Sequence, residues 1–266
     1  MDTGTETATQ EHDQARLNAE LWAQGDFVES YATRDLRPVE VTLLQRHRDA
    51  LAGRVLELGC GAGRLTGHLC EIAQIVHGLD ISPAMVAYCR RTYPQGEFSE
   101  GDLCDLARFE SGSFDVVVAA FNVLDVLGDS DRRRVLDEIH RILAADGLLI
   151  MSSHNRGYAP GIGATIRPYL GNPRRPVASF RNLPRLLRNR RRMRALERIE
   201  DGYAILNDEA LDFSVLHYNI SMEAQGRQFA EQGFELLECL DLPGATIASG
   251  ETNTGSSELH YVARRV

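Results

Sequence analysis

The sequence predicts an open, doubly wound α/β sheet with helices on both faces of mostly parallel strands. Three observations predict it. From about residue 54, short apolar segments alternate with helical ones, the order that builds βαβ units. The first apolar segment, Val55-Leu56-Glu57-Leu58, runs straight into the glycine-rich turn Gly59-Cys60-Gly61-Ala62-Gly63. Residues 114–121 (FDVVVAAF) are apolar enough to be covered on both faces, as a central parallel strand is.

The elements come in order along the chain. Residues 1–15 are polar and acidic and are expected to be a disordered lead-in. Leu17, Leu21 and Trp22 suggest a short helix between residues 15 and 34, and a second is expected over 38–51 with Pro38 in its first turn. Strand 55–58 and the glycine turn lead to a helix over 64–72, and 75–79 is the second strand. Ser82-Pro83 supplies a cap and a first-turn proline for a helix that runs to Thr92. Residues 96–101 are the third strand and 114–121 the fourth. Over 131–144, Val135, Ile139, Ile142 and Leu143 share one face of a helix that Asp146-Gly147 is expected to stop. Residues 148–152 are the fifth strand; after an insert, 221–232 read as helix and 234–240 and 257–264 as strands.

Composition narrows the function. The 266 residues are 43% apolar, enough for one large α/β domain. Neither a secretory leader nor an apolar run of the roughly 18 residues needed to cross a membrane is apparent. The five cysteines form no CxxC pair, which argues against a disulfide framework or a structural zinc site and fits a reducing cytoplasm. All 29 basic residues are arginine. Without lysine, Schiff-base chemistry, pyridoxal phosphate and a P-loop are excluded. The net charge of −9 is uneven: residues 156–198 hold twelve arginines against Glu197 alone.

The glycine turn gains meaning from two carboxylates further along the chain. Asp80 ends the second strand, 17 positions after Gly63, where a carboxylate can accept from both hydroxyls of a ribose. Asp102 ends the third strand, where an adenine amino group is expected. These sites lie at the carboxyl ends of adjacent strands, where open parallel sheets bind ligands. The spacing is GxGxG, with Arg64 where a dinucleotide site has its third glycine, so the ligand reads as a nucleoside without a pyrophosphate.

VLELGCGAGRLTGHL resembles motif I of class I S-adenosylmethionine (SAM)-dependent methyltransferases, GLDISPAMV their motif II, GDLCDL their adenine-binding turn and FDVVVAAFNVL their motif IV. RVLDEIHRILAADGLLIMS resembles the next helix and strand of that family. The resemblance implies a seven-stranded sheet ordered 3-2-1-4-5-7-6 with strand 7 antiparallel. It implies SAM as cofactor and S-adenosylhomocysteine as product. In that reading Gly59, Cys60, Gly61 and Gly63 form the loop beside the methionine portion, and Glu57 orients the loop or meets the ammonium. Asp80 holds the ribose, Ile81 and Met85 pack on the adenine, and Asp102 with the Leu103 backbone reads its edge. Phe121 and Asn122 face the reacting methyl. Tyr31 and Arg34 fold over the cofactor, or else form an exposed helix end.

The domain boundaries expected on this basis are a single unit over 16–266: a SAM-binding core at 54–155, an arginine-rich substrate cap at 156–220 and C-terminal strands at 221–266. A hydroxyl acceptor benefits from a base. His154, just beyond the fifth strand, is the first candidate, a loop histidine bonded to backbone being the simpler alternative; Tyr158, His217 and Tyr218 are the next. No metal constellation is apparent, and none is expected; Asp125 alone makes no site. The expected function is methyl transfer to O, N or C of a small molecule in the cytoplasm. An anionic acceptor is among the options, and no nucleic-acid partner is expected. Methylation of RNA or protein docked on the basic insert, and a non-catalytic SAM-binding regulator, are the alternatives. Residues 185–198 read as a helix that is either a solvated basic face or a surface for an anionic partner.

Overall fold

The computed structural model describes residues 18–23, 28–32, 35–158, 176–208, 210–252 and 254–266. The lead-in expected over 1–15 lies outside them. Helical stretches at 18–23 and α1 (Val28–Ala32) precede α2 (Pro38–Arg46) and α3 (Arg48–Leu51), which break at His47. Then come β1 (Arg54–Leu58), α4 (Thr66–Ile72), β2 (Ile75–Asp80), α5 (Pro83–Thr92), β3 (Glu97–Glu100) and β4 (Phe114–Ala119). A 3-10 turn (Val123–Val126), α6 (Asp129–Ile142) and β5 (Leu143–Asn155) come after it. Next are α7 (Pro176–Arg194), β6 (Arg198–Ile199), β7 (Tyr203–Asn207), a 3-10 turn (Ala210–Asp212) and β8 (Leu216–Ile220). Last come α8 (Met222–Glu231), β9 (Phe234–Leu240) and β10 (Glu258–Arg265).

The core sheet runs β3-β2-β1-β4-β5 in parallel; β10 pairs antiparallel with β5, and β9 with β10. That is the order 3-2-1-4-5-7-6 with its reversed seventh strand. Alternation along each strand separates two cores. Leu56, Leu58, Val117 and Ala119 face α6 and α8, while Val55, Val116 and Val118 face α2, α3 and α4. Val135, Leu136, Ile139 and Ile142 form the buried stripe of α6, each contributing about 1.5–3 kcal/mol by leaving water.

Two expectations need correction. Asp146-Gly147 does not stop α6; the helix ends at Ile142 and β5 begins at once. Phe114 pairs with Leu143 and Val116 with Leu148, so the intervening residues bulge out, with Asp146 at φ 59°. Among the described residues the sheet also has ten strands rather than seven. The insert adds an antiparallel meander, β6-β7-β8, and β8 joins the far end of β5 in parallel, Asn219 opposite His154 and Ile220 opposite Asn155. No described helix is long and apolar enough to cross a membrane.

Candidate active site

At the carboxyl ends of β1, β2 and β4 lies a cavity of about 660 Å³, within the roughly 300–1,000 Å³ usual for small-molecule sites. Its floor is the turn after β1. Gly59, Gly61 and Gly63 all have left-handed φ, at 63°, 54° and 78°. A Cβ on Gly59 would strike Val123 and one on Gly63 would strike Tyr93, whereas one on Gly61 would meet no described protein atom. Gly61 therefore faces open space in the cavity, while Gly59 and Gly63 serve close packing. Gly63 does not itself line the cavity.

Asp80 closes the loop from the next strand. Its Oδ2 accepts from the Gly61 amide at 2.8 Å and its Oδ1 from the Ser82 amide at 2.9 Å. Burial pushes its carboxyl up, and those two amides pull it back. Each oxygen keeps a second lone pair. Glu57 is buried under the loop, where its Oε2 accepts from the Thr66 hydroxyl at 2.5 Å. Burial, more than the opposing pull of Thr66 and Arg64, raises its carboxyl to about 7. Ile81, Met85, Asp102 and Leu103 line the end of the cavity beside β2 and β3, and Asp102 Oδ1 is capped by the Cys104 amide at 2.8 Å.

The opposite end lies past β4. Phe121 and Asn122 both take left-handed φ, at 57° and 58°, a conformation that costs a non-glycine residue energy and clusters at functional sites. The surroundings hold them there. The Asn122 amide donates to Ser152 Oγ at 2.8 Å, and Nδ2 donates to Glu258 Oε2 at 3.0 Å. Asn122 Oδ1 is buried and meets no donor among the described residues. The Arg37 and Arg64 guanidiniums sit 4.5 and 5.0 Å from the Phe121 ring centre, and Tyr31 meets its edge at 6.2 Å. Arg37 pairs with Glu258, and Arg64 with Glu40 through two bonds of 2.5 and 2.6 Å. Tyr31 and Cys60 also line the cavity. Arg34 lies outside the described residues.

His154 lines this end too, and Asp125 fixes it: His154 Nδ1 stands 2.7 Å from Asp125 Oδ2, which also accepts from the His154 amide at 2.7 Å. Asp125 is fully buried. Burial alone would raise its carboxyl, but the His154 hydrogen bond and the Arg132 charge outweigh that and hold it below the usual range. Arg132 is fully buried as well, bonded to Asp125 at 2.7 Å, Gln225 at 2.8 Å and Gln228 at 3.1 Å. With Asp125 accepting at Nδ1, Nε2 carries the imidazole lone pair, and Asn122 Nδ2 stands 3.4 Å from it.

The meander brings a second such pair. His217 Nδ1 lies 2.6 Å from Asp208 Oδ2, and the His217 and His154 rings stack with centres 4.9 Å apart. Burial works against ionisation of Asp208, but the two histidines hold its carboxyl low. Alternation along β8 turns the neighbouring Tyr218 the other way. It is buried against Tyr203 and under the Arg132 guanidinium, with its hydroxyl 2.5 Å from Asp129, so it does not reach the cavity. Tyr158, in the turn after β5, does not line it either. His154, Asp208 and His217 each place one ligating atom within 4.8 Å of the others, a set with the chemistry to hold a divalent ion. From the sequence no metal is expected, because three residues from separate segments show no ligand spacing.

The cavity over a glycine turn, with the half-buried Asp80 carboxylate beside it and a polar far end, is the setting for the likenesses to known proteins. Residues 55–147 match the family model described as "Methyltransferase domain". Over these residues the chain is similar to SAM-dependent methyltransferases. A probable SAM-dependent methyltransferase of Mycolicibacterium smegmatis is 35% identical over 127 residues, 47% of this chain and 48% of that protein. The match thus spans about half the length of that relative. A ubiquinone biosynthesis O-methyltransferase of Xanthomonas oryzae is 26% identical over 165 residues, 59% of this chain and 67% of that one. The methyltransferase fold extends further than the sequence matches. The crystal structure of a 1,6-didemethyltoxoflavin-N1-methyltransferase from Burkholderia thailandensis superposes with a TM-score of 0.60 at 15% identity, covering 96% of this chain and 90% of that one. The mycobacterial relative is named as SAM-dependent, and the Burkholderia structure holds S-adenosylhomocysteine.

Proposed function

We propose that the protein transfers the methyl group of SAM to a nitrogen, oxygen or carbon of a small-molecule acceptor, and that His154 takes the acceptor proton where the acceptor is a hydroxyl. The observation that carries this reading is the Asp125–His154 pair at the wall of the cavity, beyond β4 and next to Phe121 and Asn122.

In this reading Gly61 lets the loop approach the methionine portion, Glu57 offers a carboxylate to the ammonium, and Asp80 holds the ribose diol. Ile81 and Met85 sandwich the adenine, with Asp102 at its edge. SAM supplies an already activated methyl when bound, so the protein's task is alignment. Asn122 Oδ1, buried and without a donor among the described residues, accepts from the incoming acceptor and orients it. Asp125 keeps the lone pair on His154 Nε2 and stabilises the imidazolium that forms when Nε2 takes the acceptor proton, while Arg132 holds Asp125 ionised in its buried site. A cavity of about 660 Å³, within the range usual for small-molecule sites, favours a small acceptor over a macromolecule. The residues of the insert that line it, Asp208 and His217 among them, make the insert the acceptor-side wall.

The test is turnover of methyl-labelled SAM with fractionated small-molecule pools and, separately, with RNA and protein, before and after dialysis against EDTA. Label entering a small molecule, undiminished by EDTA, is the expected result. His154→Ala should then lower turnover by about 10²–10⁴-fold with little change in SAM affinity. Label in RNA or protein refutes the acceptor class. Turnover lost on chelation and restored by a divalent cation gives the His154–Asp208–His217 cluster a metal instead of a proton.

A further inference from the structure

The insert carries a second feature, on its outer face. Helix α7 turns Leu186 and Met193 inward and leaves Leu187, Arg188, Arg191, Arg192 and Arg194 exposed. Arg185 and Arg190, at its flank, pair with Asp212 and Glu197. The other four meet no carboxylate among the described residues; Arg48, Arg90, Arg91 and Arg108 are likewise exposed without one, but those lie singly or as a pair rather than four on one helix face. Several other surface arginines are paired. Arg46 pairs with Glu238, Arg54 with Asp115, Arg133 with Glu231, Arg227 with Glu223 and Arg264 with Glu235.

Four cations within seven residues, without a carboxylate partner among the described residues, concentrate positive field on an otherwise acidic chain. Beside them are two of the most exposed large apolar side chains, Leu187 at 48% and, on β6, Ile199 at 72%. Water makes such residues costly to leave uncovered, and a purely electrostatic partner has no use for them. Cations interleaved with the apolar Leu187 on one helix face, and a second exposed apolar residue five positions after the helix, match an interface that is anionic at its surface and hydrocarbon beneath. Glu200 and Asp201, in the turn beyond Ile199, oppose the charge at its edge.

We infer that the outer face of α7, with Ile199, docks the protein on an anionic lipid bilayer, the arginines on the headgroups and Leu187 and Ile199 in the outer acyl layer. The same helix is bonded through Asn189 to Asp212 and Ser214, next to Ala210 at the cavity wall, so docking holds the acceptor side of the cavity near the bilayer.

Vesicle flotation tests this with the whole chain. Vesicles of phosphatidylcholine alone are compared with vesicles one-third phosphatidylglycerol, at low salt and at high salt. The protein should float with the anionic vesicles at low salt and stay behind in the other conditions. At about a factor of five per arginine, replacing all four by glutamine (Arg188→Gln, Arg191→Gln, Arg192→Gln, Arg194→Gln) should weaken binding by several hundredfold. Leu187→Ser with Ile199→Ser should weaken it at unchanged salt dependence. The substituted positions are exposed, and equal melting temperatures would show that the fold is kept. No flotation of the wild type, equal binding to neutral vesicles, or unchanged binding of the arginine variant overturns the proposal. So does a gel shift with an RNA oligonucleotide in the absence of vesicle binding.

Discussion

Replacing Glu57 by glutamine should make the SAM-free protein more stable, and increasingly so as the pH rises. The carboxyl sits at 4% exposure, and burial lifts it from 4.5 to about 7, with Asp80 and Glu40 adding to the rise and Thr66 and Arg64 opposing it. The unfolded chain releases this proton near pH 4.5, the folded one only near 7. Between those values the native state holds more protons, so stability falls as pH rises through the window and is level above it. At about 1.36 kcal/mol per pH unit the full cost is about 3 kcal/mol, of which about 2–3 accrues between pH 5 and 8. Glutamine keeps the shape and an acceptor for the Thr66 hydroxyl but has no charge to bury. Its melting temperature should therefore gain on the wild type by about 5–10 °C between pH 5 and 8. Thermal melts of both proteins at the two pH values read the difference directly, since all other titrating groups cancel. A gap that does not change with pH, or one that closes as the pH rises, would refute the reasoning. SAM affinity should move the other way, falling about tenfold or more if the carboxylate meets the ammonium.

Asp80→Ala should lower SAM affinity at least about tenfold in a folded protein, because charge-assisted bonds to the ribose are worth roughly 1.5–3 kcal/mol each; calorimetry returning the wild-type affinity would remove Asp80 from the ribose. Gly61→Ala, at φ 54° with no described protein atom near the new Cβ, should cost about 1–2 kcal/mol of stability yet lose most SAM binding, a split visible by comparing melting with titration calorimetry. Asp125→Asn should destabilise the fold by about 3–5 kcal/mol, since it leaves the Arg132 charge buried without its partner. Arg132→Met in the same background should recover much of that loss in urea titrations without restoring turnover.

The core could be read from the sequence because local rules and tertiary packing agree there. Ser82-Pro83 starts α5 at Pro83, and the stripe of α6 from Val135 to Ile142 is all buried. The end of the cavity expected to hold the cofactor is lined by residues that succeed one another after β1 and β2, which a sequence pattern can express. At the opposite end the sequence marks His154 and His217 as candidates, but not Asp125, Asp208 and Glu258 beside them. Asp208 and Glu258 reach it from the meander and from β10, through strand pairings that no local pattern encodes. Two signals were nonetheless present. Asp125 interrupts the run Val123-Leu124-Asp125-Val126-Leu127, and Arg132 falls on the buried stripe of α6. A charge inside each of two apolar patterns announces a buried pair, and these two charges find each other.

The placement of β10 has a consequence for how the molecule is made. This strand comes after all the others in the chain, yet it lies between β5 and β9 and brings Glu258 against Asn122 and Arg37. While the chain is still on the ribosome, β1 to β4 can assemble a competent glycine loop long before the residue that steadies Asn122 has been synthesised. The two ends of the cavity therefore mature at different times. Ser152 on β5 can hold the Asn122 amide early, but the Asn122 side chain gains its Glu258 bond only once β10 has slid into its slot.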